Sequence, residues 1–151
     1  SRIEQMGPYK NQYYDVTPSI ARVMTQIDNE KNEIAKALGL KPITAVEILK
    51  RYYGATGKDL YEALRNTYTY SIQTAPDSLK ARYVSEDVPF GLVPMASLAK
   101  QLGTNNKALC TIIDLASLLN DTDYWETGSK LEDLGLEGMS SEEIMNYVVN
   151  G

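Results

Sequence analysis

Apolar residues recur every three or four positions along most of this chain, and the period breaks at a few glycines and prolines. The clearest stripe lies in "TPSIARVMTQIDNEKNEIAKALG", where Ile20, Val23, Met24, Ile27, Ile34 and Leu38 share one face at helical spacing. Thr17 suits the cap of that helix, Pro18 its first position and Gly39 its end. Capping-box spacing between Thr44 and Glu47 predicts a second helix over "TAVEILKRYYG", closed by Gly54. Thr56 and Asp59 resemble the same device before "DLYEALRNTYTYSIQ", and "TAPDSLKA" reads as a turn-rich break. Further on, "PMASLAKQLG" predicts a short helix ending at Gly103. "NKALCTIIDLASLLN" predicts another, with Leu109, Ile112, Ile113, Ala116 and Leu119 on a broad buried face. The tail "SSEEIMNYVV" opens on a second box, Ser140 to Glu143.

The opening "SRIEQMGPYKNQYYDV" sustains no period and carries a Gly-Pro turn signal, so a loop or broken helix is expected there. No stretch alternates with the two-residue period of a strand for more than a few positions. Pro42, Pro76, Pro89 and Pro94 interrupt any extended run. Neither a repeat nor a flexible linker divides the sequence. The expectation is an all-α fold, one compact multi-helix domain over residues 1–151, with about six to eight helices.

Composition narrows the function. The chain of 151 residues is long enough to bury a core, and 43% apolar with 23% charged residues is ordinary for a globular domain. A net charge of −5, with no cluster of Lys and Arg, argues against a phosphate-tracking surface and so against nucleic acid as a partner. No apolar run approaches the ~20 residues that cross a bilayer, and no signal-peptide pattern opens the chain. The single cysteine, Cys110, excludes an internal disulfide, and the cytoplasm is the expected location. Eleven Tyr against one Phe and one Trp suit either a half-buried core margin or a docking surface.

The chain has no histidine, and with it go the imidazole base, the common nucleophilic triad and the usual transition-metal site, so no metal is expected. Neither a G-x-G-x-x-G turn nor a phosphate loop occurs. Acids remain. Glu142 and Glu143 fit the first turn of a helix. Glu132 and Asp133 fit a solvated helix face, Asp121 and Asp123 fit a turn, and Cys110 fits a buried, inert thiol. Glu86 and Asp87 stand apart, because they lie with Arg82 inside the apolar stretch "RYVSEDVPFGLVP". Two readings are open. Ser85 caps a short helix with both acids and Pro89 in its first turn and Arg82 as a surface ion pair, or the acids belong to a site.

The string "RYVSEDVPFGLVPMASLAKQLG" resembles the signature of the opine dehydrogenase family, in the C-terminal helical domain of the octopine and nopaline type. "RIEQMG…YYDVTPSIARVMTQIDNEKNEIAKALGL" resembles the first helices of that domain, and "DYWETGSKLEDLGLEGMSSEEIMNYV" its C-terminal run. One departure is Ser129 after Gly128, where many relatives are expected to carry arginine. The resemblance implies a helical domain like those of opine and 6-phosphogluconate-type dehydrogenases. Such a domain closes over an N-terminal Rossmann domain, absent from this chain, that binds NAD or NADP. The implied reaction joins an amino acid to a 2-oxo acid and reduces the imine with hydride. It also implies a histidine acid/base shortly before Ser1 and an aspartate paired with it, a motif position matched by Asp87. The apolar neighbours Val88, Phe90 and Leu92 would exclude water around that pair. Both substrates carry a carboxylate, for which Arg82 offers a fork; Glu86 reads as structural. The isolated chain is expected to be inactive. Its tyrosines and residues 82–94 are expected to line a groove that meets the Rossmann domain or a second copy, with Arg82 and Asp87 pointing into it. The alternatives are the helical domain of another NAD(P)-dependent dehydrogenase, acting on a small hydroxy acid or sugar phosphate, and a non-catalytic interaction module.

Overall fold

Helical backbone dominates the computed structural model, which describes residues 2–6, 13 and 15–150. The segments in chain order are α1 (Arg2–Met6), α2 (Pro18–Ala37), α3 (Ala45–Tyr53), α4 (Leu60–Arg65), α5 (Tyr68–Ser71) and α6 (Arg82–Ser85). A π-helical turn (Val88–Leu92) follows, then α7 (Val93–Leu102), α8 (Lys107–Asn120), α9 (Tyr124–Thr127) and α10 (Ser141–Asn150). Among the described residues no strand occurs, only an isolated bridge position at Thr74. The segments outnumber the expected helices because α1, α4, α5, α6 and α9 are single turns of four to six residues. The Gly7-Pro8 turn signal lies outside the described residues. No described helix is long and apolar enough to cross a membrane.

Local signals set most of the helix ends. Thr17 Oγ1 accepts from the Ile20 amide, and Thr44 and Glu47 form the full reciprocal box at the head of α3. The device expected at Thr56 and Asp59 sits three residues further on. Asp59 caps α4 through the Glu62 amide, and Glu62 accepts from the Lys58 amide. Gly54 and Gly103 close α3 and α7 in the left-handed region, where a side chain would be strained.

The chain groups into two compact units: Ser1–Asp28 with Ile43–Ala81, and Asn29–Pro42 with Arg82–Gly151. In the first, α3 packs on α4 around Leu49, Leu60, Ala63 and Leu64, with Met24 and Tyr70 against them. Tyr70 stacks on Tyr13 at 4.3 Å between ring centroids, with Tyr53 tilted against it at 5.6 Å. Burial, followed by those two neighbouring phenols, pushes the Tyr70 hydroxyl above its ordinary pKa. The apolar stripe expected on α2 is displaced at its start: Ala21 is buried, while Ile20 and Val23 are exposed.

In the second unit α7 and α8 pack together, and both meet the π-turn. The buried line of α8 runs Leu109, Ile113, Ala116 and Asn120, so Leu119, expected inside, is exposed. Asn120 takes the inward place at that end, because its amide reaches the Tyr124 hydroxyl at 2.8 Å. The start of α8 departs furthest from expectation. Asn106, its N-cap residue, makes no side-chain cap and donates instead to the Ala96 carbonyl. The open amides of Ala108 and Leu109 turn to Glu30 of α2, at 2.8 and 2.9 Å, and Asn105 adds a third donor at 3.1 Å. Glu30 is 0% exposed, a charge-bearing group affordable there because its oxygens are met by donors at a helix N-terminus. A second distant tether comes from Gln101 of α7, which donates to the Leu136 and Met139 carbonyls and accepts from the Gly138 amide.

Candidate active-site segment

Residues 82–102 run as one nearly continuous helical path rather than as separate short helices. Two prolines explain its irregularity. Proline has no N–H and its ring crowds the preceding turn, so an uninterrupted α-helix through Pro89 and Pro94 would be strained. The chain widens instead into the π-turn, where the Val93 amide bonds back to the Val88 carbonyl. Such single-turn insertions bend helices and often stand at functional sites. Pro94, five residues after Pro89, has no amide to give its carbonyl. That oxygen accepts from the Ser129 amide at 3.1 Å.

Ser129 reaches it because Gly128 lies almost against the turn. A Cβ at position 128 would stand 2.7 Å from the Pro89 carbonyl, 2.7 Å from that of Tyr124 and 3.0 Å from Val93 Cβ. Gly128 itself follows α9, whose start is capped by Asp123 through the Trp125 and Glu126 amides. α9 is tied to α8 by Trp125 Nε1 on Asp114 at 2.7 Å. At the position where the resemblance leads one to expect arginine, the contribution is thus a backbone amide, for which side-chain identity is immaterial.

Asp87 immediately precedes the π-turn. It is exposed, and its carboxylate makes no cap bond and has no hydrogen-bond or ion-pair partner among the described residues. Ser85 ends α6 instead of capping a helix that starts at Glu86. Arg82 lies with Glu86 rather than Asp87, Nη2 to Oε1 at 3.0 Å; both side chains are exposed, so the pair adds little stability. Its remaining guanidinium donors are uncommitted among the described residues. Val88 and Pro89 are buried, whereas Phe90 is 60% exposed. Two open clefts of the second unit have other linings. One of about 360 Å³ is bounded by Met139, Glu143 and Tyr147, the other of about 460 Å³ by Lys100, Gln101 and Lys130. Neither includes Arg82 or Asp87.

Of the other acids singled out by the sequence, Glu143, Asp123 and Asp133 have structural partners, whereas Asp121, Glu132 and Glu142 have no side-chain bond among the described residues. Glu143 completes the box with Ser140, whose amide and hydroxyl both reach it at 2.8 Å and hold its carboxyl below the ordinary range. Asp121 ends α8 in a left-handed conformation, and Asp133 accepts from the Lys130 amide in a run of turns rather than on a helix face. Cys110 is half-buried; burial, then the carboxylates of Asp114 and Glu30, push its thiol up, away from nucleophilic character. Among the described residues no three potential ligands are grouped for a metal.

By fold, the chain is an all-α multi-helix domain. It superimposes on octopine dehydrogenase, solved with NADH and L-arginine, with a TM-score of 0.74 at 18% identity. The match covers 91% of this chain and 41% of that one. The family described as "NAD/NADP octopine/nopaline dehydrogenase, alpha-helical domain" matches residues 1–120, and the chain belongs to this family. Similar proteins include an opine dehydrogenase of Arthrobacter sp. (strain 1C), 33% identical across 98% of this chain and 41% of the relative. Protein ocs of Agrobacterium tumefaciens (strain Ach5) is 30% identical across 99% of the chain and 42% of its own length. The vitopine synthase of Allorhizobium ampelinum is 27% identical across 97% of the chain and 40% of its own. The chain therefore spans about two fifths of the length of these relatives.

A nicotinamide dinucleotide needs a phosphate cradle, ordinarily a strand, a glycine-rich turn and a helix N-terminus. The described residues contain no strand and no such turn, so they do not fit the cofactor's pyrophosphate. Helix-only order is not itself a signal of the site. Glu30, by contrast, had one in the sequence: it falls between Ile27 and Ile34 on the apolar stripe, where an acid needs a partner.

Proposed function

We propose that this chain is the substrate-binding and catalytic-partner domain of an NAD(P)-dependent opine dehydrogenase that condenses an amino acid with a 2-oxo acid. Family membership and a match along 98% of this chain to a relative named for that chemistry support the reading. The observation that carries it to particular residues is Asp87, an exposed carboxylate with no partner among the described residues, at the mouth of a π-turn. Such a group is available to the histidine expected shortly before Ser1. Beside an imidazole it fixes the tautomer and raises the pKa, so that the ring holds a proton for the carbonyl or carbinolamine oxygen. Arg82 supplies guanidinium donors to a substrate carboxylate, exchanging its solvent-exposed hold on Glu86 for a bidentate one. Residues 1–151 act as one helical domain in this scheme, with NAD or NADP held mainly by the Rossmann domain. In the first unit the exposed Tyr52 and Tyr68, and separately in the second unit the exposed Phe90, are each available to that domain or to self-association. A cytoplasmic location fits the single cysteine.

The test is Asp87→Asn in the enzyme that carries this domain. Turnover should fall on the order of 10⁴-fold, the scale seen when a histidine loses its carboxylate partner elsewhere. Substrate affinity should change little. Near-native turnover would remove Asp87 from the reaction.

A further inference from the structure

The π-turn is an unstable arrangement by itself: it interrupts the regular ladder and leaves the Pro89 carbonyl without an amide from Pro94. What holds it is the segment after α9. The Ser129 amide fills the vacant acceptor, and Gly128 permits an approach that any Cβ would block at 2.7 Å from two carbonyl oxygens. Shifting the turn by one residue, to α-helical register, would rotate Asp87 by about 100° around the helix axis relative to α7. We propose that Gly128 and the Ser129 amide are positioning residues: they clamp the π-turn and thereby set the direction in which Asp87 presents its carboxylate. The proposal rests on the reading of Asp87 as the histidine's partner. In this role both residues act through the π-turn and Asp87 and not on substrate. The Asp114–Trp125 bond and the Asp123 cap serve the same end, because they fix α9 from which the clamp extends.

The clamp predicts a coupling that a merely structural role does not. In the full-length enzyme, Gly128→Ala should lower kcat by about 10- to 100-fold, the scale of an ångström-sized misplacement, with KM for both substrates within about twofold. In an Asp87→Asn background the same change should lower kcat by less than about twofold, because the group it positions is already lost. Equal losses in the two backgrounds overturn the proposal, and so does native kcat in a folded Gly128→Ala enzyme. Should Gly128→Ala fail to fold, replacing the Ser129 amide with an ester removes the donor without adding bulk. A loss of about 3- to 10-fold in kcat is then expected, again confined to the Asp87 background. An ester enzyme with unchanged kcat overturns the clamp. Asp87→Asn alone separates the two ideas: if that variant turns over normally, the reading of Asp87 fails before the clamp is tested, and the clamp falls with it.

Discussion

Glu30 and Asp87 carry the same functional group within the same unit, and the fold treats them in opposite ways. Glu30 is fully buried and receives three donors, two of them the amides that open α8. Asp87 is exposed at the start of an irregular turn and receives none among the described residues. A carboxylate whose lone pairs are taken up by helix amides stabilises a fold and has nothing left for a ligand. One left open on a held backbone is free to act on a partner. Solvent exposure and a vacant bonding capacity, rather than charge or apolar surroundings, distinguish the two.

That contrast is broken most directly by exchanging the measurements. Asp87→Asn should cost turnover on the order of 10⁴, about 5.5 kcal/mol of barrier, and leave thermal stability essentially unchanged. Glu30→Ala should do the reverse to stability. It strands the Ala108 and Leu109 amides in the interior, at about 2–4 kcal/mol in total, read as a lower denaturant midpoint with an unchanged slope. Glu30→Gln keeps one acceptor and should lose roughly half of that. An Asp87→Asn protein that unfolds early, or a Glu30→Ala protein with a native midpoint, would show that the two roles are assigned the wrong way round.

The two residues also differ in how far the sequence disclosed them. Local devices were legible: Thr17, the Thr44–Glu47 and Ser140–Glu143 boxes, Gly54 and Gly103 act within a few residues of themselves, so spacing alone reveals them. Asp87 was visible for another reason, as an acid pair and an arginine in an apolar stretch that resembles a family signature. Glu30 showed only that an acid on the apolar stripe needs a partner; which partner was hidden, because its donors lie 75 to 79 residues away and the helix it caps shows at its own head an asparagine that does something else. Prolines 89 and 94 were read as barriers to a strand and as first-turn residues of separate short helices. Each alone would stop a helix, but a π-turn accommodates both when a distant amide supplies the missing bond. The place of Leu119 was misread because a polar residue, Asn120, has a buried partner in Tyr124.

Arg82 gives the next, smaller effect. Its bond to Glu86 is an exposed i,i+4 pair, worth only a few tenths of a kcal/mol to the helix turn. Glu86→Gln should therefore leave stability within about 0.5 kcal/mol and turnover close to native. Arg82→Lys should raise KM for one substrate about tenfold, with kcat changed much less, since an ammonium cannot form the two parallel bonds of the guanidinium. Were Glu86→Gln to abolish turnover instead, Glu86 and not Asp87 would be the acid that reaches the reacting partner.

The smallest effect concerns a third treatment of the carboxylate, bonded yet exposed. Glu143 accepts from the Ser140 amide and hydroxyl, and Glu62 from the Lys58 amide as well as its ammonium. These donors favour the ionised form and draw both carboxyls below the ordinary glutamate value, the backbone bond contributing most in each case. A depressed folded-state pKa means that the unfolded chain takes up protons first as pH falls. The caps should thus lend their full stability above the unfolded value, near pH 4.3, and lose it as pH drops through the lower folded value. Following the Ser140 and Lys58 amide resonances through an acid titration should give midpoints below that of an unbonded glutamate. Glu143→Gln, which keeps an acceptor but cannot ionise, should abolish the midpoint at Ser140 and leave that at Lys58 intact. A Ser140 midpoint at the ordinary value would mean that the box is too open to bias its own proton, leaving Glu143 closer to Asp87 than to Glu30.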